Sequence, residues 1–343
     1  MSLRITGKLP SGKHLEKLKQ SPNYKRGAFQ NLSPTPMKPD DISYWKMMKE
    51  FFKKNKDTVP PGLLPSVKTD LDKLNPGKPV IVWFGHSSYL IRIDNKNFLI
   101  DPVFSGNASP FSFMIKAFPG SNIYKPEDMP MIDYLILTHD HYDHLDFKTV
   151  RKLRNKVDKI YCSLGVSSHL KYWGFGNNKI MEIDWWETKH LEENISLTAA
   201  PARHFSGRGI KRGQTFWSSF ILKTKDHNLY LGGGSGYDSH FKEIGNKFGP
   251  FDLAILEAGQ YNTMWPYIHM MPEETVQAAV DLNAKALLPV HWGKFTLAMH
   301  AWDDPVKRVL EKARELNMKV LTPKIGQPLI LDNSFQSENW WNF

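Results

Sequence analysis

From residue 80 onwards, short apolar runs alternate with polar breaks rich in Gly, Pro, Asn and Asp. Apolar runs of this length, bounded by turn formers, predict buried strands. The pattern gives strands at Val80–Phe84, Tyr89–Ile93 and Phe98–Ile100, with residues 94–97 as a turn. Tyr134–Leu137, Lys159–Cys162, Ile180–Ile183, Ile195–Ala199, Ser219–Lys223, Asn228–Leu231, Leu253–Leu256 and Ala286–Val290 read the same way. Helices are predicted from a cap at Asp146 to about Asn155, near Val166–Trp173, and from Pro272 to about Asn283. The last opens with Pro and two acids, which suit the first turn. Antiparallel strands followed by mixed strand and helix units predict an α/β fold of two sheets flanked by helices.

Residues 1–79 differ. They are rich in Pro, Lys and Asn and weak in periodicity. One helix is predicted over 40–54, where Trp45, Met48 and Phe52 form a stripe and Lys46, Lys49, Lys53 and Lys54 lie largely off it. Such a stripe packs on a parent domain or rests on a membrane surface. The chain therefore divides into a basic, Pro-rich N-terminal extension (1–79), packing on or near the rest, and a catalytic domain (80–343).

Charge sharpens that division. The net charge is +10, yet residues 1–80 alone hold sixteen Lys and Arg against seven acids, an excess of nine. A basic segment can bind anionic lipid head groups or nucleic acid, or simply keep the protein soluble, and a nuclease is disfavoured because the positive charge lies outside the domain carrying the chemistry. The start MSLRITGKLPSGKH has no apolar segment behind it, and no window approaches the length of a membrane span. A cytoplasmic protein, in peripheral contact with a membrane at most, is the expectation. The single Cys162 excludes an intramolecular disulfide and a Cys-rich zinc site.

The chemistry begins at THDHYDHLD, residues 138–146, directly after the strand Tyr134–Leu137. Residues two apart on an extended segment point the same way, so His139 and His141 can hold one ion. Asp143 and His144 can reach a second. Imidazole and carboxylate suit zinc, and also iron or manganese.

This H-x-H-x-D-H motif resembles the metallo-β-lactamase superfamily. GHSSYLIRIDNKNFLIDPVFSGNASP (85–110), PARHFSGR (201–208), GGSGY (233–237) and PVHWGKFTLAMH (289–300) follow in the order found in one branch. That branch is the N-acylphosphatidylethanolamine-hydrolysing phospholipase D enzymes and their bacterial relatives. The resemblance covers about residues 80–305. It implies a four-layered αββα sandwich with metal at the sheet edges. It also implies that His139, His141 and His204 bind one zinc ion, that Asp143, His144 and His291 bind another, and that His269 faces the substrate.

One position departs from the branch, which has a metal-bridging aspartate where this chain has Gly234. Asp238 and Glu257 are the nearby acids that could substitute, Glu257 more readily in a surface or supporting role. Loss of the bridge implies weaker occupancy of one ion and reduced activity.

The implied reaction is attack by a metal-bound hydroxide on phosphorus or a carbonyl carbon. Asp143 is a catalytic ligand. His269 binds the phosphate or donates a proton, unless it is structural. His86 and Asp101, at strand ends, would hold ligand imidazoles in place. Trp265 and Trp292 could line an apolar groove. A phosphodiesterase acting on a phospholipid-like small molecule is the leading reading. A lactonase or other C–O or C–N hydrolase is the alternative, as is a binding protein of the same fold with weakened catalysis.

Overall fold

A computed structural model describes residues 3–40, 42, 43, 45, 49, 56–74, 77–332 and 335–343. The N-terminal part holds helix α1 (Gly12–Leu18) and a small hairpin, β1 (Tyr24–Lys25) with β2 (Ala28–Phe29). Most of the helix predicted over 40–54 lies outside the described residues; of its apolar stripe only Trp45 is described, and it is 73% exposed.

Two seven-stranded sheets follow. The first contains β3 (Val80–Trp83), β4 (Tyr89–Ile93), β5 (Lys96–Ile100), β6 (Ile132–Leu137), β7 (Val157–Ser163) and β8 (Ile180–Ile183). Helices α2 (Phe147–Leu153) and α3 (Ser167–Tyr172) lie between its later strands. The second sheet contains β9 (Thr188–Glu192), β10 (Ile195–Ala200), β11 (Ser219–Lys223), β12 (Asn228–Leu231), β13 (Leu253–Glu257), β14 (Ala286–Val290) and β15 (Lys319–Val320). Helices α4 (His240–Phe248), α5 (Pro272–Asp281) and α6 (Asp304–Glu315) are inserted along it. A last strand, β16 (Pro328–Ile330), crosses back to pair with β3 in the first sheet.

The two sheets share one plan: antiparallel strands first, then parallel ones (β5 to β8, β12 to β15). Alternation within each strand assigns its faces. Ile81, Trp83, Tyr89, Ile91 and Ile136 face Leu197, Phe220, Leu222, Ile255 and Leu288 across the sandwich. Val82, Leu90 and Leu135 turn outward under Val150, Leu153 and Leu170 of α2 and α3. Tyr230, Ala254 and Leu287 turn outward under Phe241, Val276 and Val309 of α4, α5 and α6. The strands are apolar on both faces because both faces are covered. The result is the four-layered αββα sandwich.

Several strand limits match the sequence reading, β4, β8, β11, β12 and β14 among them. The turn predicted over 94–97 is shorter than expected. Asp94 and Asn95 both have positive φ, which makes a two-residue hairpin turn, and β5 already begins at Lys96. β9 escaped the reading because it is a polar edge strand whose burial alternates between exposed and half-buried. Among the described residues, no helix is long and apolar enough to cross a membrane.

Lys294 is a buried charge carrier in this frame. Its Nζ donates to Phe84 O (3.0 Å) and Val103 O (2.9 Å), tying the end of β3 to the segment after β5. Burial pushes its pKa down to about 7, with Asp146 opposing weakly. The unfolded chain then holds a proton that the folded chain lacks from about pH 7 up to the ordinary lysine range, so this residue makes stability rise with pH in that window. Urea unfolding of Lys294→Met between pH 8 and 9 should lose that rise, by about 1.4 kcal/mol per pH unit relative to the unaltered chain. Equal slopes would mean that Lys294 keeps its proton.

Candidate metal centre

The site lies at one edge of the sandwich, where strands of both sheets end. β3 runs into His86, β5 into Asp101, β6 into Thr138 to His144, β10 into the loop bearing His204, β12 into Gly234, and β14 into His291. Three of these strand-end residues, His86 (φ 54°), Asp101 (φ 40°) and His291 (φ 69°), adopt left-handed backbone conformations. Non-glycine residues rarely do so without compensating contacts. Here those contacts join the sheets: His291 N–H donates to His86 O (2.9 Å), and His86 N–H to Trp292 O (2.9 Å).

Four overlapping groups of possible ligand atoms result; besides Asp101 with His139 and His144, and Glu257 with His269 and His291, two gather the ligands named from the sequence. In the first, His139 Nε2 and His204 Nε2 lie 3.1 and 3.2 Å from His141 Nδ1. Three imidazoles around a tetrahedral zinc would be spaced by roughly 3.3 Å, so the trio fits such an ion. The second cluster gathers Asp143, His144, His291 and His86. Asp143 Oδ2 is 2.8 Å from His86 Nε2, 3.4 Å from His144 Nε2 and 4.0 Å from His291 Nε2.

The far ring nitrogens are already engaged. His139 Nδ1 meets Thr138 Oγ1 (2.9 Å), His204 Nδ1 donates to Ile268 O (2.8 Å), His144 Nδ1 meets Asp101 Oδ2 (2.7 Å), and His291 Nδ1 meets Ser87 Oγ (2.8 Å). Fixing one nitrogen in this way aims the other at a metal. His291 Nε2 is buried with no hydrogen-bond partner, which costs free energy unless an ion or water meets it.

The electrostatics favour ligand-ready states. Burial, reinforced by neighbouring imidazoles, holds His139, His204 and His291 well below the ordinary histidine range, and His141 falls to about 4. Burial alone would raise Asp143, but the surrounding histidines hold it well below the usual carboxylate range. His144 is the exception. Burial lowers it, and Asp143 and Asp101 on either side raise it further. Neutral imidazoles and an ionised carboxylate are the forms that bind metal.

The other sequence candidates fall as follows. Asp101 reaches the imidazole of His144 and also accepts from Thr138 N–H (2.9 Å) and Thr138 O–H (2.6 Å). His86 meets a carboxylate, Asp143, rather than an imidazole. Gly234 stands against the first trio; a Cβ there would be 2.9 Å from His204 Nε2. Asp238 joins neither cluster and instead faces Arg203 (3.7 Å). Glu257 is buried, not on the surface: Oε2 takes His269 Nδ1 at 2.7 Å and Oε1 accepts from Met270 N–H at 3.0 Å. Trp265 lines the cavity above the clusters, whereas Trp292 does not; it packs between the sheets against Trp83 and Trp340. Sequence reasoning missed Ser87 as a partner of His291, although Gly-His-Ser-Ser directly follows a strand.

These features define a metal-dependent hydrolase. The chain belongs to the metallo-β-lactamase superfamily: the model of the β-lactamase superfamily domain matches residues 96–292. It is 37% identical over 332 residues to the Mycobacterium tuberculosis protein Rv0906, covering 94% of this chain and 88% of that one. It is 30% identical over 255 residues to N-acyl-phosphatidylethanolamine-hydrolyzing phospholipase D 1 of Caenorhabditis elegans, covering 68% of this chain and 70% of that one. Among solved structures, the metallo hydrolase Igni18 of Ignicoccus hospitalis superposes with a TM-score of 0.56 at 17% identity, over 76% of this chain and 100% of that one.

Asp101→Asn should weaken zinc binding by ~10–100-fold, the usual cost of losing an outer partner of a ligand histidine. Competition with a chromogenic chelator reads this directly, and an unchanged affinity would mean that His144 is not oriented through Asp101.

Proposed function

We propose that the chain is a zinc-dependent phosphodiesterase of phospholipase D type, with two ion sites. The observation that carries this reading is the cavity over the two clusters, about 230 Å³. It is lined by His141, Asp143, His144, His204, His269 and His291, and by Phe205, Trp265, Ile268, Leu297 and Met37 with the amide of Gln260 among them. Imidazoles and a carboxylate able to hold cations, beside a mostly apolar lining, suit a phosphodiester with an apolar substituent. The phospholipase D named among the relatives supports the same substrate class.

Ions held by the two clusters would lower the pKa of a water towards neutrality and draw charge from the phosphoryl oxygens. The chain's own groups do the rest. His86 donates to Asp143 and keeps its carboxylate turned into the cluster. Glu257 accepts the Nδ1 proton of His269 and so fixes the ring, leaving Nε2 to serve the cavity. Nε2 is then placed to meet a phosphoryl oxygen or the departing alkoxide. Trp265 and Leu297 exclude water from the reacting ester.

Zinc-loaded protein should hydrolyse bis-p-nitrophenyl phosphate in preference to a chromogenic lactone. His269→Ala should lower kcat on the diester by ~10²–10⁴-fold while zinc affinity stays within a few-fold. Preference for the lactone would replace the phosphodiesterase reading with a C–O hydrolase. Turnover of neither, with tight binding of a non-hydrolysable diester, would favour a binding protein.

A further inference from the structure

His204 sits in the loop between β10 and β11, and its backbone is not paired in either sheet. Its own N–H and C=O are nonetheless both satisfied, by one side chain from the N-terminal extension. Asn31 Oδ1 accepts from His204 N–H (3.0 Å), and Asn31 Nδ2 donates to His204 O (2.7 Å). A primary amide offers a donor and an acceptor side by side, which is what a neighbouring strand would offer. The same Oδ1 accepts from Trp217 Nε1 (2.9 Å), a buried ring, so the amide is itself held.

Neighbouring contacts keep Asn31 in register. Phe29 N–H donates to Gly213 O (2.8 Å), and Arg203 donates through Nε to Thr35 Oγ1 (3.1 Å) and through Nη2 to Pro34 O (2.8 Å). Phe29 stacks on Phe216 at 4.6 Å between centroids. The extension thus follows the loop on both sides of His204. The imidazole is then fixed at two points: its backbone by Asn31 and its Nδ1 by Ile268 O.

We propose that Asn31 is a positioning residue of the metal centre, holding His204 in the geometry that completes the trio with His139 and His141. This rests on the metal reading of that trio. The basic extension, whose charge suggests a surface role, then also forms part of the active site. Because the amide holds the backbone of a ligand rather than its ring, its loss should loosen the site without emptying it.

The test measures Zn²⁺ affinity of the full chain by chelator competition, for the unaltered protein, Asn31→Ala, Asn31→Asp and Leu18→Ala. Leu18 packs with Phe29 and Phe216 in the core beneath the extension and touches no ligand, so it controls for simple loosening. Asn31→Asp keeps the acceptor for His204 N–H but turns a carboxylate oxygen, which cannot donate, towards His204 O, so it breaks the second bond without shortening the side chain. The expected result is a 10–100-fold loss of the tightest Zn²⁺ affinity in both Asn31 variants. Leu18→Ala, at an equal or larger fall in metal-free melting temperature, should keep its affinity within about two-fold. Unchanged affinity in the Asn31 variants, or an equal loss in Leu18→Ala, overturns this proposal alone. No Zn²⁺ binding by the unaltered chain overturns it together with the metal reading.

Discussion

The site depends on one junction, the backbone exchange between His86 and His291–Trp292 at the edge where the two sheets meet. The first sheet contributes His139, His141, Asp143 and His144, and the second contributes His204 and His291. The trio of His139, His141 and His204 and the group of Asp143, His144, His291 and His86 each draw on both sheets. The two hydrogen bonds set the sheets in register at the point where ligands must converge within a few ångströms. Left-handed backbone at both histidines is the local cost, offset by those bonds and by the tryptophan packing beneath them.

Burial turns this junction into a demanding environment. Six imidazoles and a carboxylate share one edge, most of them sealed from solvent. Protonating any ring would place a charge beside its neighbours in a low-dielectric setting, so several rings stay neutral and the carboxylate stays ionised. Partners beyond the cluster fix which nitrogen faces inward: Thr138, Ile268 O, Asp101 and Ser87 each hold one ring. Such a cluster is built to hold cations, and its unpartnered inward nitrogen at His291 is otherwise a liability.

Much of this was legible in the sequence, for specific reasons. Strands buried on both faces, such as Val80–Trp83 and Ala286–Val290, appear as unbroken apolar runs, and their ends locate His86 and His291. The H-x-H-x-D-H spacing survives because strand-end geometry constrains neighbouring residues directly. What stayed hidden depends on long-range contacts. Asn31 meets His204 across more than 170 positions, and nothing around Asn31 marks it. Glu257 reads as an acid at a strand end until His269 is brought onto it. Trp292 sits beside a ligand in sequence, but the next residue on a strand end turns the other way, into the core.

Gly234 stands beside Nε2 of His204, which an added Cβ would approach to 2.9 Å, at the position where the related phospholipase D branch is read as carrying a shared carboxylate. Three imidazoles can hold one ion unaided, while a second ion close by lacks an anion to offset the mutual repulsion. The most direct measurement is metal content per chain by elemental mass spectrometry, on this protein and on Gly234→Asp prepared in parallel. The account predicts about one firmly held ion in the unaltered chain, and two with increased phosphodiesterase activity in the variant. Two ions and equal activity in both would contradict it, since another group would then bridge the metals and residue 234 would lie outside the centre.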